Sequence, residues 1–265
     1  MHLNPKPLSW MLSAIILSSA SYALAETAEE KGLAIAQQTK ERDQGWSDMQ
    51  AQMTMVLRNS QGQESVREIR LKSLEQEADG DKSLSIFDKP LDVKGTAFLS
   101  FSHPVGADDQ WLYLPALKRV KRIASRNKSG PFMGSEFAYE DLTSFEVEKY
   151  TYKYLRDEPC GSEQCSVVEQ YPVDKYSGYT RRVTWIDQSE NRLHKIEFYD
   201  RKGSPLKTLT YVDYKQYLGK HWRADIMKMV NHQTRKDTDL IWSEYRFKEG
   251  LKNADFNKNS LKRAR

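Results

Sequence analysis

Residues 108–145, DDQWLYLPALKRVKRIASRNKSGPFMGSEFAYEDLTSF, decide how the rest of the chain is read. The run opens as a strand: Gln110-Trp111-Leu112-Tyr113-Leu114 is apolar and aromatic-rich, and Pro115 ends it by withholding a ladder donor. After a turn, Leu117-Lys118-Arg119-Val120-Lys121-Arg122-Ile123 alternates bulky apolar and basic residues, which suits an edge or half-exposed strand whose charge faces water. From Ser129 to Phe137, two Gly and a Pro argue against a regular strand, yet Phe132, Met133 and Phe137 need an apolar place to sit. The expectation is an apolar plug carried on a flexible loop.

Three runs, WLYLPALKRVKRI at 111–123, NKSGPFMGSEFAYEDL at 127–142 and KGTAFL at 94–99, resemble the outer-membrane lipoprotein-sorting protein family, the LolA-like periplasmic carriers of lipids and lipoproteins. The likeness is to the wider family rather than to the lipoprotein shuttle itself. It implies a mainly β fold, a half-open antiparallel β-barrel of the LolA/LolB kind, with helices over its mouth and an apolar cavity for acyl chains. It also implies a second role, since relatives in the wider family accompany RND-type lipid exporters as non-catalytic accessory subunits.

Outward from the central stretch, the chain reads as strands on both sides. Met49, Ala51, Met53, Met55 and Leu57 share one face of a period-two run, and Asn59-Ser60-Gln61-Gly62 supplies the turn into a polar partner at 64–73. Leu84 and Ile86 mark a further strand, and Ala97, Leu99 and Phe101 oppose Phe98 in the next. Downstream, Tyr150, Tyr152 and Tyr154, then Val183 and Trp185, Ile196 and Phe198, and Leu206 to Val212 follow with turn residues between them. Trp222, Ala224 and Ile226 oppose Met227 and Met229, and Leu240 and Trp242 oppose Tyr245 and Phe247. Several of these strands are apolar on both faces, as expected where one face lines a core or cavity and the other is covered. One domain over residues 26–265, of roughly ten to twelve strands, is the economical reading. The tail from 248 onwards is polar and basic, with at most one short helix.

Residues 1–25 have the order of a secretory signal: Lys6, an apolar core at 8–17, and Ala23-Leu24-Ala25 before Glu26. No Cys follows that core to accept a lipid, so export to the periplasm as a soluble protein is expected. Residues 26–44, rich in Ala, Glu, Lys and Gln, predict one amphipathic helix ended by Gly45, either packed permanently on the sheet or serving as a movable cover over the barrel mouth. In an oxidising compartment Cys160 and Cys165, which bracket Gly-Ser-Glu-Gln, predict a disulfide at a hairpin tip, worth about 2 kcal/mol for so short a loop.

A mean hydropathy of −0.76 excludes a polytopic membrane protein. The five His form no metal-binding pair, and neither a GxSxG elbow nor a phosphate-binding P-loop occurs, so no enzyme, cofactor or metal is expected. Expected to line or cover an acyl cavity are Met49, Met53, Met55, Leu57, Leu84, Ile86, Phe98, Trp111, Tyr113, Phe132, Met133, Phe137, Trp185, Met227 and Met229. The methionines carry the idea of an adaptable pocket, although Met on an inward face serves ordinary core packing as well. Arg119 and Arg122 are the candidates for contact with lipid head groups or an acidic partner, and since the full chain's net charge of +4 falls by one when Lys6 leaves with the signal, nucleic acid is not expected.

Overall fold

The computed structural model describes residues 1–2 and 25–263; the signal expected at 1–25 falls almost wholly outside them. Helix α1 (Ala28–Asp43) starts at a capping box, with the Thr27 hydroxyl receiving the Glu30 N–H and the Glu30 carboxylate receiving the Thr27 N–H. It stops where predicted, at Gln44 and Gly45.

Thirteen strands follow: β1 (Asp48–Arg58), β2 (Glu64–Leu74), β3 (Lys82–Lys89), β4 (Ala97–Phe101), β5 (Asp109–Leu114), β6 (Arg119–Ile123), β7 (Tyr150–Cys160), β8 (Glu163–Pro172), β9 (Tyr179–Asp187), β10 (Leu193–Asp200), β11 (Pro205–Tyr217), β12 (His221–Asn231) and β13 (Asp237–Phe247). This is one more than the upper end of the expected range. All lie in one antiparallel sheet, ordered β6-β5-β4-β3-β2-β1-β13-β12-β11-β10-β9-β8-β7. The chain thus walks outward from β1 to one edge at β6, jumps to the opposite edge at β7, and walks back until β13 pairs with β1. The sheet curls without closing, which is the half-open barrel expected, and β6 is an edge strand as read. The jump between edges is residues 124–149, the plug-bearing loop, and its position follows from topology: the loop must cross the concave face.

Side-chain alternation sorts the apolar residues into an inner core and outer patches. Inside, Met53, Met55, Ile69, Phe87 and Phe98 meet Phe132 and Phe137 of the crossing loop and Met229 and Leu240 of the far strands. Outside, the tail beyond β13 folds back in two 3-10 turns, and Phe256 and Leu261 cover the convex face of β3 to β6. A third cluster, Val167, Val183 and Trp185, surrounds the Cys160–Cys165 disulfide, whose Cα atoms are 5.7 Å apart.

Five expected cavity residues are corrected by this sorting. Leu84, Ile86, Trp111 and Tyr113 pack outward beneath the tail, and Trp185 packs outward beside the disulfide. Their strands are apolar on both faces, so alternation separates the two faces without saying which is concave; pairing decides it, with Phe87 and Leu112 turned inward. The tail, read as carrying no motif, supplies that outer cover.

Candidate ligand-binding site

The concave face has two halves, and the crossing loop occupies one of them. Phe132 and Phe137 are each 1% exposed, and Phe132 lies 5.1 Å from Phe98 and 6.0 Å from Phe87 between ring centroids. Expected cavity residues Met53, Met55, Phe98, Phe132, Phe137 and Met229 are therefore joined with Leu57 and Met133 into solid core. The loop is also tied down by polar contacts. Lys207 Nζ donates to Asp141 at 2.6 Å and to the Glu136 carbonyl at 2.8 Å, and both charged side chains are about 5% exposed or less. Tyr179 donates its hydroxyl to the other Asp141 oxygen at 2.7 Å, and Asn231 donates to Glu136 at 2.6 Å. A loop read as a hinged cover is instead a pinned filling, because a buried ion pair loses its compensation if either partner leaves.

The other half lies beneath α1. The first half of the helix is fixed on β7: Gly32 passes so close that a Cβ there would sit 2.8 Å from the Tyr154 nitrogen, and Ala36 packs on Tyr152 and Val168. Its last turns stand clear of the sheet and roof a cavity of about 390 Å³. Met49 and Met227 are the two expected residues that line it. The rest of its apolar wall, Trp46, Tyr211, Tyr214, Trp222, Trp242 and Tyr245, was not singled out from the sequence. Two left-handed residues explain why: Asp213 (φ 57) in β11 and Glu244 (φ 53) in β13 break the alternation. Tyr211 with Tyr214, and Trp242 with Tyr245, thus reach the same cavity although three apart, where a regular strand would send them to opposite faces. Aromatics spaced by three around an Asp or a Glu in two late strands were the available signal.

Charged groups frame the opening. Arg192 stacks 4.7 Å from the Trp222 ring centre, and Asp187 receives its Nε at 2.7 Å. Burial raises the Asp187 carboxyl, but hydrogen bonds from His194, the Glu190 N–H, Arg192 and Ser189 outweigh it and hold the group well below the usual carboxylate range. Lys40, Arg42 and Asp43 of α1 pair with Glu146, Glu190 and Arg223, so the roof is fastened by ion pairs rather than by apolar packing. Arg119 and Arg122 are remote from this cavity, exposed on the edge strand β6, where Arg122 pairs with Asp109. Among the described residues, no helix is long and apolar enough to cross a membrane.

Behind the cavity, and sharing Thr39, Ser144, Phe145, Leu193 and Tyr211 with it, is an inner chamber of about 120 Å³. Its wall carries Tyr150, Gln170 and Arg182 alongside Ile196, Phe198 and Leu209. Desolvation pushes the Tyr150 and Tyr211 phenols up, so both hydroxyls remain protonated donors.

A family model described only as an uncharacterized protein matches residues 79–263. No curated protein matches the chain. Among solved structures, a domain assigned to outer membrane lipoprotein sorting from Vibrio parahaemolyticus is 63% identical, with a TM-score of 0.87 over 88% of this chain and 99% of that one. A DUF1329 family protein from Desulfovibrio piger is 27% identical, with a TM-score of 0.84 over 89% and 99%. A LolA superfamily protein from Nitrosomonas europaea, 20% identical over 86% and 98% with a TM-score of 0.69, shares the fold. The chain belongs to the outer membrane lipoprotein-sorting protein family.

Proposed function

We propose that the protein is a periplasmic carrier that takes acyl chains of lipids or lipoproteins into the aromatic-walled cavity beneath α1 and passes them between envelope partners. The observation that carries this reading is the cavity itself. At about 390 Å³ it falls in the size range of small-molecule sites, the apolar part of its wall is mainly aromatic and charged groups frame it, and it is open to water. An acyl chain gains about 0.8 kcal/mol for each CH₂ taken from water, so a chain of about fourteen carbons buried completely would gain on the order of 10 kcal/mol before costs. A carrier must release its cargo, and a partly open site that buries only part of the chain meets that need. The end of the roof is the part suited to move: its Arg42–Glu190 and Asp43–Arg223 pairs are partly exposed and break at low cost in water, whereas Lys40–Glu146, with Glu146 buried, anchors the turn before it and a buried pair holds the loop.

Lipid extracted from protein purified out of the periplasm tests the proposal. Stoichiometric acyl lipid in the wild type, lost in Ala224→Phe, which fills the cavity from β12 without adding a polar atom, is the expected result. Protein that carries no lipid and instead captures an RND-type transporter would favour the accessory role and overturn the carrier.

A further inference from the structure

On the wall of the inner chamber Arg182 makes no ion pair among the described residues. Arg182 of β9 lies face-on to Tyr150, 3.9 Å from the ring centre, and 5.7 Å from that of Phe145. Its Nε donates to the Gln170 side-chain oxygen, while the Gln170 nitrogen donates to Thr184 at 3.3 Å. Stacking and this single bond set the plane of the guanidinium, and its two terminal nitrogens have no acceptor among the described residues. The carboxylates on the chamber wall are already engaged. Asp141 is held by Lys207, Tyr179 and the Ala138 N–H, and Glu140 by the Ser177 hydroxyl and the Gly178 N–H.

Two phenols share the chamber with it. The hydroxyls of the neighbouring Tyr152, Tyr179 and Tyr214 donate to Val147 O, Asp141 and Leu193 O, but those of Tyr150 and Tyr211 find no acceptor among the described residues. Gathered around a half-buried guanidinium beside an apolar cavity, these donors are not sealed from water and so stand open to the acceptor atoms of a ligand. Arg offers its terminal N–H groups as a planar fork, which matches a carboxylate or a terminal phosphate.

We propose that the carrier's preferred cargo is a single-chain amphiphile with a compact anionic head, bound head first, with the head on Arg182, Tyr150 and Tyr211 and the acyl chain running out along Trp222 and Trp242. This rests on the acyl-carrier reading and narrows it: a lipoprotein's chains, tied up as esters and amides, lack the free acid. A chamber of about 120 Å³ suits a head with no second substituent.

Competition binding on the delipidated full chain, with tetradecanoic acid, its methyl ester, tetradecyl phosphate and a diacyl phosphodiester lipid, tests it. The acid should bind about 10- to 100-fold more tightly than the ester, as expected for charge-assisted hydrogen bonds. Tetradecyl phosphate binding like the acid identifies the shared feature as a terminal anion; its binding like the ester narrows the head to carboxylate, and both results support a compact anionic head. Arg182→Gln should abolish the preference for acid over ester. Tyr150→Phe and Tyr211→Phe, which remove only the hydroxyls, should each weaken the acid alone and guard against a folding defect in the Arg182 variant. Acid and ester binding equally in the wild type, or the phosphodiester lipid binding as well as the acid, overturns the head-first site and leaves the acyl carrier standing. Binding of none of the four probes overturns both.

Discussion

On one side of the concave face, Met53, Met55, Phe87 and Phe98 pack against Phe132 and Phe137 as buried core; on the other, Tyr211, Trp222, Trp242 and Tyr245 face α1 across about 390 Å³. Both halves are apolar strand surfaces of one sheet, so hydrophobicity alone does not separate core from cavity. The difference is what lies over each. The chain has to travel from β6 to β7 across the open side, and its route deposits two phenylalanines in one half. The other half receives only a helix with a narrow, small-residue face, of which Gly32 and Ala36 alone are buried. A filled half gives the sheet a core, and the poorly filled half remains for a guest.

The sharpest way to break this comparison is to cut the filling. Phe132→Ala should cost about 3–5 kcal/mol in denaturant unfolding, the range for deleting a buried aromatic ring. A loss under about 1 kcal/mol would mean that the loop is a mobile cover after all. Lys207→Met should cost a similar 3–5 kcal/mol by stranding Asp141, and adding Asp141→Leu should recover much of that loss. Gly32→Ala should cost about 1–3 kcal/mol, because a methyl 2.8 Å from the Tyr154 nitrogen must push α1 off β7. The same variant should change ligand affinity, which Phe132→Ala should alter less if the two halves are independent.

The smallest effect sharpens the rim. The Asp187 carboxyl is held below its unfolded value in the folded chain, so it adds stability above pH about 4 that is lost as pH falls below that value. Stability should be insensitive to this group between pH 5 and 8, by order of magnitude, and Asp187→Asn should flatten the acid limb of the profile while lowering its plateau. An unchanged acid limb in that variant would remove Asp187 from the account of how the Arg192 loop is held.

Much of the scaffold could be read from residues: the period-two run from Met49, the turn at Asn59-Ser60-Gln61-Gly62, the helix stopped by Gly45, the basic edge strand and the short disulfide loop. The site was legible only in part, for three physical reasons. Strands apolar on both faces do not reveal which side is concave, so Leu84, Ile86, Trp111 and Tyr113 were placed inside when a tail from the end of the chain covers them outside. Residues that need burial do not reveal whether they line space or fill it, which misplaced Phe132 and Phe137. Strict alternation takes no account of left-handed backbone at an Asp and a Glu, so Tyr245 was assigned away from Trp242 although both face the cavity; the three-residue aromatic spacing was the only trace of it.

The central claim, that the space beneath α1 rather than the half holding the crossing loop shelters the chain, is tested most directly by where a bound chain touches the protein. A fatty acid with a photoreactive diazirine near its end, crosslinked to the full chain and mapped by mass spectrometry, should mark α1 and strands β11 to β13 around Trp222 and Trp242, with Phe132, Met133 and Phe137 unmarked. Crosslinks concentrated on those three residues would contradict the account.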